Sequence, residues 1–198
     1  MFHDIPTEIL DRMEFLEDQD KKEMSEEINV KHFHKLRQIP PETGRFISLI
    51  AASSPMGQWL EIGTSAGYST LWLTLACKQM ERKITTFELD QKKIALARET
   101  FTSAHVESYV DLIQGNIFDY LSSYKEISFC FLDIEKELYS ECYEIVIPNM
   151  VPGGILLADN VISHKTDLQP IIDRVLGDKR LDSLVIPIGQ GILMSKKL

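Results

Sequence analysis

The sequence has 198 residues, of which 44% are apolar and 26% are charged, and its formal net charge at pH 7 is −9. This composition predicts one globular domain over residues 1–198 with a sizeable core, and it excludes a disordered chain. The negative charge disfavours nonspecific nucleic-acid binding, because phosphate contacts need clustered cations. No apolar run approaches the roughly 20 residues of a membrane-spanning helix, and the acidic N-terminus is unlike a signal peptide. We therefore expect a cytoplasmic protein that contacts no membrane.

The first segment predicts an amphipathic helix over residues 7–24, with apolar residues on one side and dense charge elsewhere. This helix could pack on a partner subunit or on its own core. We expect residues 1–38 to form a helical extension and residues 39–198 to form the core of the domain. The stretch KHFHKLR, residues 31–37, is the only candidate basic patch, and a solvated segment is its simpler interpretation.

The rest of the chain alternates apolar, strand-like runs with segments of helical periodicity. Strands are predicted at residues 58–63, 84–89, 110–114, 127–134 and 154–161, and helices at residues 67–79, 90–103, 117–124 and 139–149. This alternation predicts an α/β fold with a parallel sheet covered on both faces. Near the end, LDSLVIPIG and QGILMSKK are separated by almost nothing, which requires an antiparallel pair at the sheet edge.

The three cysteines, Cys77, Cys130 and Cys142, all lie in apolar segments. Their odd number and their placement favour buried free thiols over disulfides, zinc ligands or a nucleophile.

The stretch LEIGTSAGYST covers residues 60–70. It begins in an apolar run that contains Glu61, and two glycines, Gly63 and Gly67, follow this run. Glycine permits a tight turn, and a helix that begins near Gly67 directs free N–H groups at a bound ligand. The dinucleotide fingerprint needs a glycine at Ser65, so this loop is not expected to hold a pyrophosphate. Glu88 follows Gly67 by 88 − 67 = 21 residues, at a strand end where an acid accepts hydrogen bonds from ribose hydroxyls. The alternative is an ordinary strand-to-helix turn with a solvated Glu88.

Two further strands run apolar into polar residues: one ends at Asp133 and the other at Asp159 and Asn160. An aspartate at the inner end of a central strand is costly to desolvate unless a partner compensates it. Asp133, Asp159 and the Asn160 carbonyl would supply three oxygen ligands for a metal ion. Such a set suits magnesium or calcium better than zinc. The alternative is that Asp133 caps a helix and that the Asp159-Asn160 pair forms an Asx turn.

Several motifs together carry a resemblance to a known family: LEIGTSAGYST, FELD, FLDIEKELY, VPGG, LLADNV and IPIGQGIL. With this set, the chain from about Ile39 to its end resembles the cation-dependent O-methyltransferases, which include the catechol and caffeoyl-coenzyme A methyltransferases and small bacterial relatives. The resemblance implies a Rossmann-like, S-adenosylmethionine-dependent methyltransferase fold. Its seven-stranded, mostly parallel sheet has helices on both faces and an antiparallel last strand. Homodimers are frequent in this family, so a homodimer is expected.

The resemblance also implies roles for individual residues. The residues implied in cofactor binding are Ile39, Glu61, Gly63, Thr64, Ser69, Glu88, Asn116, Ile117 and Asp133. Asp133, Asp159 and Asn160 match the metal ligands, for Mg²⁺ or another divalent cation such as Mn²⁺ or Ca²⁺, and Asp133 and Lys136 are the catalytic candidates. Lys136 matches a lysine that assists deprotonation, although its charged neighbours also suit a surface lysine.

Three departures from the family pattern limit what the resemblance implies. Asn116 stands where many relatives have aspartate, and DIEK replaces the frequent DADK. The segment ISHKTDLQP after Asn160 lacks the longer substrate-recognition insert of the plant enzymes, so the acceptor cannot be transferred from them.

The chemistry predicts a vicinal dihydroxy or hydroxy-carbonyl small molecule as the acceptor. A phenol-like hydroxyl with a pKa of about 10 is ionised to only about one part in a thousand at pH 7, and a coordinated cation corrects this. Two adjacent oxygens would chelate that cation and align the hydroxyl with the methyl group.

The alternatives are a hydroxylated tRNA base as acceptor, which the negative charge disfavours, an NAD-dependent dehydrogenase, and a noncatalytic cofactor-binding protein. The dehydrogenase would leave the paired aspartates at the strand ends unexplained.

Overall fold

The computed structural model describes residues 1–25 and 35–198. Within these residues, the α-helices are α1 (Thr7–Met24), α2 (Pro41–Ala52), α3 (Tyr68–Met80), α4 (Gln91–Ser103), α5 (Tyr139–Val146) and α6 (Lys165–Leu176). The strands are β1 (Gln58–Ile62), β2 (Ile84–Glu88), β3 (Val110–Gln114), β4 (Ile127–Leu132), β5 (Met150–Ala158), β6 (Leu181–Ile186) and β7 (Ile192–Lys197).

The strands form one sheet in the order β3-β2-β1-β4-β5-β7-β6. Strands β1 to β5 pair in parallel, whereas β7 is antiparallel to both of its neighbours, β5 and β6. The predicted seven-stranded sheet with an antiparallel last strand is confirmed. Because β1 and β4 are central neighbours, their carboxyl ends lie side by side with those of β2 and β5.

The sheet is covered on both faces, as predicted. Successive side chains of β1 point to opposite faces, so Trp59 packs in one buried cluster, and Leu60 packs in the other. The first cluster contains Trp72 of α3, and the second contains Tyr143 of α5 and Ile172 of α6. Strand β4, with the sequence ISFCFL, is buried along its whole length, which is typical of a central parallel strand.

Helix α1 packs on the core of its own chain. Ile9, Met13 and Leu16 are buried in the cluster that also contains the α3 side chains. The Arg12 Nε donates to Thr100 Oγ1 of α4 over 3.0 Å. The predicted bounds of this helix are those observed. Within the proposed basic patch, residues 31–34 lie outside the described residues.

Several predicted bounds differ from those observed; β5, for example, is Met150–Ala158 and not residues 154–161. Three further differences from the predicted elements have local causes. Residues 117–124 form two 3₁₀ turns, Ile117–Asp119 and Leu121–Ser123, because Tyr120 between them has a φ of −120°. Helix α2 was not predicted; it begins at Pro41, a first position where the missing N–H is not needed. Helix α6 was also missed, since Pro170 interrupts its sequence pattern.

No described helix combines the length and the apolarity that crossing a membrane requires. Burial raises the pKa of the Cys77 and Cys142 thiols to about 12, so neither thiol is an activated nucleophile.

Candidate active site

The carboxyl ends of the central strands meet closely enough to form one site. The Asp133 N–H donates to the Ile62 carbonyl of β1 over 3.0 Å, and the Asp159 N–H donates to the Leu132 carbonyl of β4 over 3.0 Å. At Gly63, φ is +106° and a Cβ would lie 2.0 Å from the Asp133 carbonyl oxygen. A glycine is therefore needed at this position for the ends of β1 and β4 to approach.

The loop between β1 and α3 presents a helix N-terminus to this edge of the sheet. Ser65 and Gly67 both have positive φ, and Gly67, the N-cap of α3, supplies no side-chain cap. A Cβ on Gly67 would lie 2.6 Å from the Phe101 ring, so α4 also requires a glycine there. The first N–H groups of α3 are thus available to a ligand above the loop.

Glu61 is the centre of a buried hydrogen-bond network. Its side chain accepts hydrogen bonds from Ser69 Oγ at 2.7 Å, Thr70 Oγ1 at 2.5 Å and Thr86 Oγ1 at 2.6 Å. Thr64 joins the network, 2.5 Å from the Thr86 hydroxyl. Burial raises the pKa of Glu61 to about 7, although the three hydroxyls lower it. The carboxyl group therefore ties β1, β2 and α3 together, and its predicted contact with the cofactor stays a prediction.

Glu88 lies at the end of β2, and its carboxylate accepts three backbone N–H groups. The donors are Ser65 at 2.8 Å, Leu89 at 2.8 Å and Asp90 at 2.9 Å. An ionised carboxylate has about four acceptor positions, so capacity for a ribose hydroxyl remains. The bond from Ser65 fixes the glycine loop beside this carboxylate.

The remaining cofactor candidates flank this region. Asn116 is exposed, and its Oδ1 accepts the Phe118 N–H at 3.1 Å, which leaves its amide nitrogen for other contacts. Ile117, next in the chain, is buried, and so is Ile39, which lies just before α2. Their predicted contacts with the cofactor stay predictions.

Lys136 connects the predicted metal ligands. Its Nζ lies within hydrogen-bond distance of four acceptors, which share its three hydrogens: Asp133 Oδ1 at 3.3 Å, Asn160 Oδ1, the Ile134 carbonyl at 2.9 Å and the Tyr139 hydroxyl at 3.1 Å. The Lys136 side chain is only 14% exposed, so it is not an ordinary surface lysine.

Asp159 and Asn160 complete the group of oxygen atoms. Asn160 has a φ of +65°, a conformation that asparagine tolerates better than most residues, and its Nδ2 donates to Asp159 Oδ2 at 3.2 Å. Asp159 is fully buried, and its Oδ1 finds no hydrogen-bond partner among the described residues. Burial and then the Asp133 carboxylate raise the pKa of Asp159 to about 7.

These residues fit a divalent cation. Among the described residues, a buried carboxylate oxygen without a hydrogen-bond partner lies beside a second carboxylate and an amide oxygen, and a cation would compensate this set of hard donors. In the described part of the chain, no group of three or more histidine, cysteine, aspartate or glutamate side chains could hold a metal ion. A site at Asp133, Asp159 and Asn160 therefore depends on the amide oxygen as well as on the two carboxylates.

The acid of the DIEK sequence has a specific partner. Glu135 Oε1 accepts a hydrogen bond of 2.9 Å from Arg37 Nη2, and this bond lowers the pKa of Glu135. In the same segment as Arg37, the Leu36 carbonyl accepts the Ser65 hydroxyl at 3.0 Å. The segment before α2 is therefore joined to both the glycine loop and the loop after β4.

Sequence reasoning missed Thr70, Thr86 and Tyr139. Thr86 and Glu61 are paired in register on neighbouring strands, a relation that exists only once the strands are aligned. Tyr139 follows Lys136 by three residues, a helical spacing that was the available signal for their contact.

Comparisons with known proteins identify the family of the chain. Residues 14–198 match the family described as O-methyltransferase. A catechol O-methyltransferase of Niastella koreensis is 33% identical over 129 residues, which span 63% of this chain and 58% of that protein. A caffeoyl-CoA O-methyltransferase of Populus kitakamiensis is 24% identical over 184 residues, 81% of this chain and 78% of that protein.

Among solved structures, a methyltransferase of Podospora anserina with bound S-adenosylhomocysteine superposes with a TM-score of 0.78 at 21% identity, covering 98% of this chain and 89% of that chain. This likeness supports the Rossmann-like fold. Because the family match extends over most of the sequence, the chain belongs to the O-methyltransferase family of enzymes, as its motifs predicted.

Proposed function

We propose that this protein transfers the methyl group of S-adenosylmethionine to a hydroxyl of a small acceptor that chelates a divalent cation. The observation that carries the proposal is that Asp133 and Asn160 oxygens converge on Lys136, while Asp159 is hydrogen-bonded to Asn160 and its buried Oδ1 lacks a hydrogen bond from any described residue. Magnesium is the cation we favour, and manganese or calcium would suit the same oxygen ligands.

The cofactor side of the proposal rests on the glycine loop. S-adenosylmethionine would supply the methyl group, and it needs no pyrophosphate grip. The backbone of residues 63–67 and the N-terminus of α3 would bind its methionine portion, with Ser69 in the first helical turn. Glu88 would accept the ribose hydroxyls, since three backbone donors hold its carboxylate in place.

On the acceptor side, Asp133, Asp159 and Asn160 would hold the cation. A bound divalent cation supplies positive charge that lowers the pKa of an acceptor hydroxyl by several units. Lys136 Nζ lies 3.3 Å from Asp133 Oδ1. Acting as a neutral amine, it would accept the proton of the acceptor hydroxyl. The ends of β4 and β5 fix these groups on rigid elements, so orientation contributes as well.

The expected acceptor is a vicinal dihydroxy or hydroxy-carbonyl compound, since two adjacent oxygens bind one cation and fix the reacting hydroxyl. The catechol and caffeoyl-CoA methyltransferases among the relatives support this class. A hydroxylated tRNA base is the alternative acceptor, and the net charge of −9 argues against it. A homodimer and a cytoplasmic location stay predictions.

Methyl transfer from labelled S-adenosylmethionine to a panel of catechols and to hydroxylated tRNA tests the proposal, with magnesium and with EDTA. We expect transfer to a catechol that stops in EDTA and returns when magnesium is restored. Full activity in EDTA, with no metal found by elemental analysis, would contradict the cation site.

Thermal unfolding distinguishes the proposed methyltransferase from an NAD-dependent dehydrogenase. S-adenosylhomocysteine should raise the melting temperature, and NADH should not. If S-adenosylhomocysteine binds but no acceptor is methylated, the noncatalytic alternative replaces the proposed activity.

A further inference from the structure

The hydroxyl of Tyr139 lies where β4, β5 and Lys136 meet. It accepts a hydrogen bond from Lys136 Nζ at 3.1 Å and donates to the Asp159 carbonyl at 3.1 Å, with the Leu132 carbonyl at 3.4 Å as a second acceptor. Tyr139 is 2% exposed and opens helix α5. One phenol thus contacts the residue before Asp133, the backbone of Asp159 and the proposed base.

We propose that Tyr139 is a positioning residue, whose hydroxyl fixes Lys136 Nζ between the two strand ends. The inference rests on the proposed function, because it assigns Tyr139 to the same methyl transfer. Tyr139 acts through Lys136 and the backbone of Asp159, and it contacts neither the acceptor nor the cofactor in this role.

The need for such a residue follows from the nature of a lysine side chain. Four rotatable bonds separate the Lys136 backbone from Nζ. All four must be restricted to one rotamer for the nitrogen to keep one position. The Ile134 carbonyl holds Nζ from one side at 2.9 Å, and the Tyr139 hydroxyl holds it from another. The Tyr139 ring adds a favourable contact, with its centroid 5.0 Å from Nζ.

The tyrosine one helical turn later provides a matched control. Tyr143 is on the same helix and is 2% exposed, but its hydroxyl donates to Asp178 and makes none of the contacts given for Tyr139 among the described residues. Removing its hydroxyl therefore reports the general effect of losing a hydrogen-bonded phenol hydroxyl from α5.

Turnover gives the first test. Tyr139→Phe keeps the ring and should lower kcat on the order of 10-fold, the change for losing a hydrogen bond to a charged group, with the KM for S-adenosylmethionine unchanged. Tyr143→Phe should leave kcat unchanged. In a Lys136→Met background, Tyr139→Phe should cause a smaller loss than in wild type, because the effects of residues that act through one another are not additive.

The second test needs no activity. In cofactor-free, metal-free protein labelled with ¹⁵N-lysine, the Lys136 ammonium hydrogens should exchange with water faster in Tyr139→Phe than in wild type or Tyr143→Phe. Lys136→Met identifies the signal.

The outcomes distinguish the two proposals. Wild type that methylates no acceptor overturns the proposed function, and the exchange experiment still tests the positioning. Unchanged Lys136 exchange, an unchanged kcat in active protein, or an equal loss in the Lys136→Met background each overturns the role of Tyr139.

Discussion

The two halves of the site satisfy their carboxylates in different ways. At the ends of β1 and β2, Glu61 is surrounded by hydroxyl donors and Glu88 by backbone N–H groups. At the ends of β4 and β5, Asp133 and Asn160 share the ammonium of Lys136, while Asp159 Oδ1 has no partner in the described structure. The hydrogen bonds to the carboxylates of the first half come from neutral groups, whereas in the second half a lysine donates to them. We therefore expect an added divalent cation to act mainly on the second half.

The largest effect is expected from the buried aspartate. Asp159→Asn keeps the shape but removes a ligand charge, so cation-dependent turnover should fall by at least about 10³-fold, since a metal supplies several kcal/mol to the reaction. Steady-state kinetics across a magnesium titration measures this. Stability of the metal-free protein should not fall, because a poorly compensated buried charge is lost. Normal turnover at low magnesium would remove Asp159 from the cation site.

Lys136→Met should lower the rate by about 10²-fold, the lower end of the range for losing a general base. The exposed Lys78 serves as a control, since Lys78→Met removes a lysine from the surface of α3. With an acceptor whose hydroxyl is already ionised at the assay pH, Lys136→Met should lower the rate much less. The quantity to measure is the ratio of wild-type to variant rates, at saturating metal, on two acceptors of different hydroxyl pKa. Equal ratios would mean that the proton leaves by another route.

Glu61 predicts a pH dependence of stability in the first half. Because burial raises its folded pKa from an ordinary value near 4.5 to about 7, the folded state binds the extra proton. The contribution of this proton to the free energy of unfolding is fully present below pH 4.5 and is lost as pH rises through about 7.

The matched variant is Glu61→Gln, which cannot titrate at this position. The unfolding free energy of wild type relative to this variant should fall by about 3 kcal/mol between pH 4 and pH 8. Chemical denaturation of cofactor-free protein measures the difference. A difference that grows with pH would show that the hydroxyl donors outweigh burial.

The smallest effect concerns cofactor affinity. Glu88→Ala should weaken S-adenosylmethionine binding by about 1.5–3 kcal/mol, the range for hydrogen bonds that involve a charged group, without unfolding the protein. Glu107→Ala, at an exposed position before β3, is the control. Calorimetry on both variants gives the comparison, and equal affinities would exclude Glu88 from the cofactor site.

The positions of the site residues were largely predictable. Apolar runs that end in Glu61, Glu88, Asp133 and Asp159 identify strand ends, and parallel strands place those ends at one edge of a sheet. The short connection between the last two runs likewise required an antiparallel pair, which β6 and β7 form. These inferences succeed because the hydrophobic pattern and the connection length are local properties of the chain.

The partners of those residues were decided only by the tertiary structure. Glu61 lies beside Thr86, and Asp159 beside Asp133, because β1 pairs with β2 and β4 pairs with β5 in one register. Strand order and register follow from the packing of the whole sheet, so the sequence by itself determined which carboxylates reach the edge. Only the folded chain decided that hydroxyls surround one of them and that a lysine, held by Tyr139, stands among the others.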